Sequence, residues 1–425
     1  MSDVRLAFKS IIMCLLFGIA LTVAFSVKAE EQLSLAETIQ LATQNQPLLQ
    51  SLNDAAASSR EASIAEAQLP DPKFKIGAIN VPVTTSDALN FNRDMMTMAT
   101  VGISQDVTPF KKREAESSRT SAEADEFYTE QIATARLIER DVALAWFDVY
   151  EAQRKTELYQ RLINDMTAER NVLAASISSG NAKTSEVLLI DTNISLTKEK
   201  SIFAQRDERK ARAALARWIG ESASRSISTE LPIINSNLED SSAKKEIEKH
   251  PLLINAFQSE KVAQYEVDIA QANLERNWGW EVGYGKRFNN RSDMLSFQVS
   301  IDLQLDRANR QDRRTAEKLL LVEKARKLTE DRRRELLAEF ESAMADAEAA
   351  EALERENRTK LIPNAKVKLS IAQAGYKSGL QTIADVWQAR RSVIDIELDR
   401  LSIVTDKQRA AVKIGYFLNN NQLFK

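Results

Sequence analysis

An uninterrupted helical run limits the folds that this chain can adopt. Residues 111–178 contain neither proline nor glycine and are rich in Ala, Glu, Arg and Leu. They predict one helix of roughly 68 residues, about 100 Å long at a rise of 1.5 Å per residue. A compact domain rarely holds such a helix, because its apolar stripe must be covered along the whole length. After a Ser-Gly-Asn break at 179–181, Thr184 starts a second helical run that extends to Ile219. The pair predicts an antiparallel hairpin with its tip at Gly180.

The same order of motifs occurs again about 200 residues later, which indicates an internal duplication. The His-Pro-Leu-Leu sequence at 250–253 repeats Gln-Pro-Leu-Leu at 46–49. Likewise, the Ser-Gly pair at 378–379 repeats the Ser-Gly pair that begins the first break. Each copy therefore predicts a helix, two strands, a long helix, a tip and a return helix.

The second long helix contains a proline. We expect it to extend from Asp306 to about Leu361, to break at Pro363, and to continue as a shorter helix over 364–377. Proline predicts this interruption because it lacks a backbone N–H and clashes with the preceding turn.

Four segments alternate apolar residues with small or polar ones, the pattern of a strand with one apolar face. They form two pairs, about 73–83 with 97–108 and 278–288 with 294–305. The first segment changes phase after Ala78, which predicts a bulge or a shifted end. Each segment is roughly 10 residues long, as a tilted strand must be to cross a bilayer. Hairpins that cover a soluble core would show the same alternation.

The N-terminal segment has the features of an export signal. Arg5 and Lys9 precede an apolar run at 11–25, and a small-x-small sequence ends at Ala29. This pattern predicts a secretory signal peptide, because the apolar run is too short for a membrane-spanning helix. The only cysteine, Cys14, lies inside that segment, so we expect a mature chain without disulfides or thiolate sites.

The remaining composition argues against an enzyme. His250 is the only histidine, which removes most acid–base and metal-centre designs. The carboxylates lie on helical faces beside Arg and Lys, and no nucleophile–base or phosphate-loop pattern occurs. We therefore expect no catalytic residue, no cofactor and no metal ligand. The slightly acidic net charge of −3 also gives no footprint for nucleic acid.

These patterns predict the following domains: a signal peptide at 1–29, a first repeat at 30–220, a linker at 221–246, a second repeat at 247–420, and a C-terminal tail at 421–425.

Four amphipathic strands cannot close on themselves, and an open sheet edge in lipid leaves backbone groups unsatisfied. Three chains would supply twelve strands, enough for a barrel with a channel. The predicted fold is therefore mainly α with membrane β: a trimeric 12-stranded β-barrel continuous with an α-helical barrel. An interfacial aromatic belt is expected from Trp278, Trp280, Tyr284 and Phe288, although packing on a soluble core is an alternative for these residues.

In this order and spacing, several motifs together resemble the TolC-type outer-membrane efflux family. They are the Leu-Ser-Leu-Ala-Glu opening at 33–37, Leu-Pro-Asp-Pro at 69–72, Gly-Ile-Ser-Gln at 102–105 and the two glycine tips. The resemblance implies a homotrimer in the lipid of the cell outer membrane, with its helical tunnel in the periplasm. It also implies two partners, a periplasmic membrane-fusion adaptor and an inner-membrane pump of the RND type.

One segment is most similar to the heavy-metal branch of that family, which serves copper, silver or cobalt–zinc–cadmium exporters. It extends from Leu69 through the Met-Met-Thr-Met sequence at 95–98 to the basic residues at 111–113. Alternatively, these methionines only occupy space in a loop or face lipid.

The resemblance also implies site residues. The adaptor would dock on two tips, formed by Ser179, Gly180 and Asn181 and by Ser378, Gly379, Leu380 and Thr382. Asp385 matches the acidic constriction ring, in which three copies would repel one another and attract cations. Gln388 stands one turn later, where some members have a second aspartate. Asp385 also has capping-box spacing from Thr382, so two roles stay open for it, a gate and a helix cap.

The resulting hypothesis is a passive exit duct for solutes, heavy-metal cations first among them, in a tripartite efflux system. Two alternatives stay open. One is a drug, organic-solute or type I secretion duct with the same fold. The other is a soluble periplasmic coiled-coil protein with a structural or adaptor role.

Overall fold

The computed structural model describes residues 32–44, 46–178, 183–234 and 245–417. Several predicted features lie outside these residues: the signal peptide at 1–29 with Cys14, the tip residues Ser179, Gly180 and Asn181, and the C-terminal tail at 421–425. Part of the predicted linker, 235–244, also lies outside them.

Within the described residues, the chain forms eight helices of ten residues or more and four strands. In chain order they are α1 (Leu35–Gln44), α2 (Pro47–Glu66), β1 (Lys73–Ile79), β2 (Met98–Val107), α3 (Phe110–Ser178), α4 (Thr184–Ile219), α5 (Pro251–Ala272), β3 (Trp278–Arg287), β4 (Met294–Ile301), α6 (Gln311–Glu356), α7 (Ile362–Lys377) and α8 (Ile383–Phe417). A helix, two strands, a long helix and a return helix therefore occur twice, as the duplication predicts.

Both helices of the first hairpin are continuous over their predicted lengths. Helix α3 has 69 residues, and α4 packs along it through side chains that alternate three and four positions apart, the seam of a coiled coil. The buried positions of α4 in this seam are Val187, Ile190, Ile194, Thr197, Ser201 and Ala204. Among the described residues, no helix is both long enough and apolar enough to cross a bilayer.

The predicted break at Pro363 is wrong. Helix α6 begins at Gln311, after a turn that contains Asp306. It then continues into α7 through a π-helical turn at Asn357–Leu361. A wider turn accommodates Pro363, because it avoids the α-helical bond that proline cannot donate and relieves the ring clash with the preceding turn.

The π-helical turn also shifts the packing seam by one residue. Six buried side chains of the second hairpin lie seven residues apart: Val322, Thr329, Leu336, Ala343, Ala350 and Asn357. The next buried positions are Ala365 and Ala372, again seven apart but displaced by one from the earlier series. One extra residue in the turn explains this displacement, because a π-turn inserts a residue into the helical register.

The four strands form one antiparallel sheet in the order β1-β2-β3-β4. The predicted hairpins therefore pair with each other through β2 and β3, with Gly102 opposite Gly283. Strand β1 ends at Ile79 rather than 83, because Asn80 adopts a left-handed conformation with φ +54°. Strand β4 ends at Ile301 instead of 305, so the predicted strands were too long at these ends.

The central core lies where both hairpins meet the short helices. Trp146 of α3 is fully buried and its indole Nε1 donates a hydrogen bond to the Leu33 carbonyl oxygen at 3.1 Å. Leu33 also forms a parallel bridge with Ile227. Ile227 lies in the predicted linker, so part of that linker belongs to the core.

Candidate functional site

The second tip, residues 378–382, is a tight connection between α7 and α8. Gly379 has φ +75°, the left-handed conformation that glycine adopts at low cost. The Leu380 N–H donates to the Gly375 carbonyl oxygen at 2.8 Å, and the Gly379 N–H donates to that of Tyr376 at 3.1 Å. These bonds satisfy carbonyls at the end of α7, as in a glycine-terminated helix.

Thr382 and Asp385 cap the start of α8 reciprocally. The Asp385 carboxylate accepts hydrogen bonds from the Thr382 N–H at 2.8 Å and from the Thr382 hydroxyl at 2.7 Å. The Asp385 N–H donates back to the Thr382 hydroxyl oxygen at 3.3 Å. The hydrogen bonds from Thr382 hold the pKa of Asp385 below its ordinary value. The carboxylate is therefore ionised at neutral pH, fixed in position and still exposed to solvent.

Gln388 lies one turn beyond Asp385 and is also exposed. Both residues line a groove between α7 and α8, together with Gln381 and Lys368. The structure thus brings Asp385 and Gln388 to one surface, with a lysine as the nearby counter-charge.

The first tip is only partly described. Its residues Ser179, Gly180 and Asn181 lie outside the described part of the chain. Helix α4 begins just after them at Thr184, where the Lys183 N–H donates to the Glu186 carboxylate at 3.1 Å. This end of the first hairpin is therefore capped by an acidic residue, as is the start of α8.

The sheet has one apolar face, and that face is exposed. Phe74 and Leu295, on the two edge strands, expose 68% and 79% of their surface. Strand register places the following large side chains on this face: Phe74, Ile76, Val101, Ile103, Val107, Trp278, Trp280, Val282, Tyr284, Leu295, Phe297, Val299 and Ile301. No described element covers the face, although a water-soluble protein rarely exposes a contiguous apolar patch of this kind.

The opposite face is polar, and many of its side chains are unusually small. It holds ion pairs between Lys73 and Asp106, at 2.6 Å, and between Lys75 and Glu281. Five glycines also lie on it: Gly77, Gly102, Gly279, Gly283 and Gly285. A Cβ atom on Gly102 would lie 2.9 Å from the Val282 carbonyl oxygen. Such crowding is typical of the concave side of a curved sheet. These glycines were not among the predicted site residues, although their alternate spacing in β3 was a signal in the sequence.

The predicted aromatic residues occupy two levels of the sheet. Trp278 and Trp280 lie at the end of β3 that faces the helices, and Tyr284 lies about 20 Å beyond Trp278 at 3.3 Å per residue. Phe288 follows the strand and its ring packs edge-on against Phe91, with centroids 6.1 Å apart. These positions correspond to the two ends of the apolar face.

The loops beyond the far ends of the strands are joined to each other. The Asn289 side chain donates to the Asn92 carbonyl oxygen at 2.9 Å, and the Arg291 guanidinium donates to the carbonyl oxygens of Arg93 and Asp94. Met95 and Met96 are exposed in the same region. Within the described residues, no group of three or more His, Cys, Asp or Glu side chains could hold a metal ion.

Both edges of the sheet are open. Among the described residues, β1 and β4 each have a strand on one side only. Unpaired edges are aggregation sites unless another chain or element covers them. In a single chain the sheet is therefore incomplete in two ways: its apolar face is uncovered and its edges are unpaired.

Comparison with solved structures identifies the fold. A membrane protein from Pseudomonas aeruginosa superposes with a TM-score of 0.76 at 15% identity, over 90% of each chain. CusC, which was studied for the changes that accompany folding and transmembrane channel formation, gives 0.77 at 14% identity, over 91% of this chain and 92% of its own. The outer membrane channel MtrE of Neisseria gonorrhoeae, in its open state, gives 0.74 at 17% identity, over 90% of this chain and 88% of its own.

No protein-family model matches the chain, and no curated protein matches it by sequence. Identities this low establish the fold alone. The predicted protomer fold, mainly α with two repeats of strand pair and long helical hairpin, is confirmed. The chain has the protomer fold of outer-membrane channels.

Proposed function

We propose that this chain is the outer-membrane channel subunit of a tripartite efflux system. Three copies would close their sheets into a 12-stranded β-barrel, and their helical hairpins would form the tunnel below it. One observation carries the proposal: a four-stranded sheet with an exposed apolar face, a small and charged opposite face, and two open edges. Lipid outside and water inside would satisfy the two faces, and neighbouring copies would satisfy both edges.

The trimer is proposed for geometric reasons. Four strands per chain give twelve strands for three chains, and crowding by glycines on the polar face supports the curvature that closure requires. A soluble coiled-coil protein would instead need a covering for the apolar face. None of the described elements supplies one.

Efflux also needs an energised pump and an adaptor, because the proposed tunnel is passive. We place adaptor docking at the two tips, since they are the ends of the hairpins farthest from the sheet. The proposed gate is Asp385, which holds an exposed and ionised carboxylate close to the second tip. The pump would lie in the inner membrane, with the helical tunnel crossing the periplasm.

Heavy-metal cations are the cargo that we propose first. Support comes from the exposed pair Met95 and Met96 in the loop beyond β1 and β2, because thioether sulfur is a ligand for soft cations such as Cu(I). A deletion strain exposed to a panel of metals, dyes and detergents tests this cargo. Complementation by wild type should restore metal tolerance, and the Met95→Leu/Met96→Leu double variant separates a role of the sulfurs from one of the loop. Restored tolerance to organic compounds alone would replace metals with organic solutes as the cargo.

The channel function itself is tested by purification from outer membranes and reconstitution into planar bilayers. We expect extraction to require detergent, and we expect stepwise conductance increases as trimers insert. Release of the mature chain as a soluble monomer by osmotic shock would contradict the proposal, whatever the cargo.

A further inference from the structure

The sheet meets the long helices at a junction that is built from short connections. The connection from α5 to β3 (273–277) lies beside the connection from β4 to α6 (302–310). Two hydrogen bonds of 3.0 Å join them, from the Asp302 N–H and from the Gln304 side-chain amide to carbonyl oxygens of the other connection. Residues of both connections therefore lie side by side, at the end of the sheet nearest the helices.

Basic residues exceed their acidic partners at this junction. Two of them are paired, Lys111 with Glu275 and Arg307 with Asp312, each at 3.1 Å. Within the described residues, five more form no ion pair, and the four arginines among them are exposed. We call these five the junction cations: Lys112, Arg276, Arg310, Arg313 and Arg314. Acidic residues of the connections that also lack a basic partner there are Asp71, Asp302 and Asp306. Positive charge therefore remains in excess.

The junction cations adjoin the end of the apolar face. Leu303 and Leu305 continue the alternation of β4 beyond its last residue, and they expose 70% and 90% of their surface. Phe110, at the start of α3, is also exposed, and Trp278 begins β3 at the same end of the sheet. Aromatic and aliphatic side chains with Lys and Arg directly beyond them are typical of a membrane–water interface, because the long basic side chains reach the headgroups.

We propose that the junction cations bind the phosphate groups of anionic phospholipids in the leaflet nearest the helices. The acyl chains would lie against the apolar face, and the headgroups would lie level with the cations. Charge favours this occupant, because zwitterionic lipid would cover the apolar residues equally well but would leave the positive charge in excess. The site rests on the proposed function, since the apolar face must lie in lipid. It adds a preference among lipids that a passive duct does not require.

Fluorescence quenching by brominated lipids tests this proposal, because Trp278 and Trp280 lie at the junction end of the sheet whereas Trp146, Trp218 and Trp387 belong to helices. The mature chain is reconstituted in bilayers of phosphatidylcholine and phosphatidylglycerol, with bromine on the acyl chains of one lipid at a time. We expect phosphatidylglycerol to be preferred by about fivefold or more, the effect of a basic residue near an anionic membrane surface. Trp278→Phe/Trp280→Phe should remove the quenching by either lipid.

Substitutions of the junction cations should reduce this preference. Arg310→Gln/Arg313→Gln/Arg314→Gln, the neutral triple variant, should bring the relative affinity for phosphatidylglycerol close to that for phosphatidylcholine. Lysine at the same three positions retains the charge and should retain the preference. Lys112→Gln/Arg276→Gln changes the cations outside α6 and should lower the preference in part, so the test does not depend on the folding of one variant.

The matched control removes the same charge from the same helix, farther from the sheet. Arg326→Gln/Arg332→Gln/Arg334→Gln changes three exposed arginines, which begin about 18 Å beyond Arg314 at 1.5 Å per residue. It should leave the lipid preference unchanged. Raising the salt concentration from about 0.1 M to about 1 M should weaken the preference of the wild type, because exposed charges are screened.

The outcomes separate this site from the proposed function. Quenching by neither brominated lipid would show that the apolar face does not lie in lipid, which would contradict the channel and the lipid site together. Equal quenching by the two lipids in the wild type would overturn the lipid site alone. So would an equal loss of preference in the neutral triple variant and in the matched control. Loss of trimers in the neutral triple variant, without a lipid preference in the wild type, would assign the junction cations to a contact between copies.

Discussion

The Asp385 carboxylate accepts two hydrogen bonds from Thr382, from its N–H at 2.8 Å and from its hydroxyl at 2.7 Å. The residue that would form the acidic ring of the channel is therefore also the cap of α8. Gate and cap are compatible, because the capping contacts leave the side chain exposed. They can be separated by substitutions that change one property at a time.

Removal of the charge at the proposed ring should change ion selectivity. In single-channel recordings, Asp385→Asn should lower the permeability ratio of K⁺ to Cl⁻, because three carboxylates would be lost from the constriction. Thr382→Ala weakens the cap and keeps the charge, so its selectivity should match wild type. Gln388→Glu adds a second ring and should raise the ratio. Unchanged selectivity in both Asp385→Asn and Gln388→Glu would restrict Asp385 to capping.

Export should depend on the shape of the second tip. Gly379 has φ +75° and donates its N–H to the Tyr376 carbonyl oxygen, so proline at this position can match neither the conformation nor the bond. We expect Gly379→Pro to abolish export in a tolerance assay and to leave trimer assembly unchanged on native gels. Gly379→Asn is the matched control, because asparagine tolerates the left-handed region. Normal export by Gly379→Pro would count against docking at this tip.

His250 should make stability depend on pH. It is fully buried at the start of α5, where its Nδ1 accepts the Leu252 N–H at 3.3 Å and its ring contacts Tyr416. Burial, with a smaller contribution from Arg136 and Arg140, lowers the pKa of His250 to about 4. The unfolded chain takes up a proton near pH 6.5, whereas the folded chain does so near pH 4. The free energy of unfolding therefore decreases as pH falls between these values, by about 3 kcal/mol in total.

The comparison with His250→Asn isolates this effect, since asparagine also caps a helix but does not titrate. Denaturant unfolding at pH 7, 5 and 4 should show that the stability difference between wild type and variant shrinks or reverses as pH falls. A constant difference across this range would show that His250 is not a buried neutral base.

Much of the fold follows from local sequence pattern. Helices α3 and α4 were predicted almost to the residue, because a proline- and glycine-free run and its flanking turn signals are local. The end of β1 before Asn80 and the π-helical turn before Pro363 were not predicted. Asn80 and Pro363 mark these places in the sequence, but residue type alone does not decide whether a strand ends or a helix breaks, because neighbouring elements also constrain the backbone. The bridge between Leu33 and Ile227 likewise joins segments that are far apart in the chain.

Only part of the candidate site could be predicted from the sequence. Capping of α8 followed from the spacing of Thr382 and Asp385, whose side chains interact as that spacing implies. The groove that contains Asp385, Gln388 and Lys368 could not be predicted, because it depends on how α7 and α8 are rotated relative to each other.

The two faces of the sheet should respond differently to charge. Phe297 and Gln298 are adjacent in β4, and their side chains point to the apolar and polar faces. In the membrane, Phe297→Arg should cost about 2–4 kcal/mol, as arginine does at the lipid face of a barrel. Its assembly in outer membranes should fall well below that of Gln298→Arg, measured as heat-sensitive oligomer on gels. Equal assembly of both variants would contradict a lipid-facing role for the apolar face.

Disulfide trapping between edge strands tests the central claim most directly. Within one chain, β1 and β4 are separated by two strands, about 14 Å at 4.8 Å per strand, too far for a disulfide. Gly77→Cys on β1 should be combined in turn with Ser296→Cys, Gln298→Cys and Ser300→Cys on β4, all on the polar face. In oxidised outer membranes, at least one pair should give dimers and trimers and nothing larger, while each single variant stays unlinked. Monomers alone from all three pairs would contradict a sheet completed by neighbouring copies.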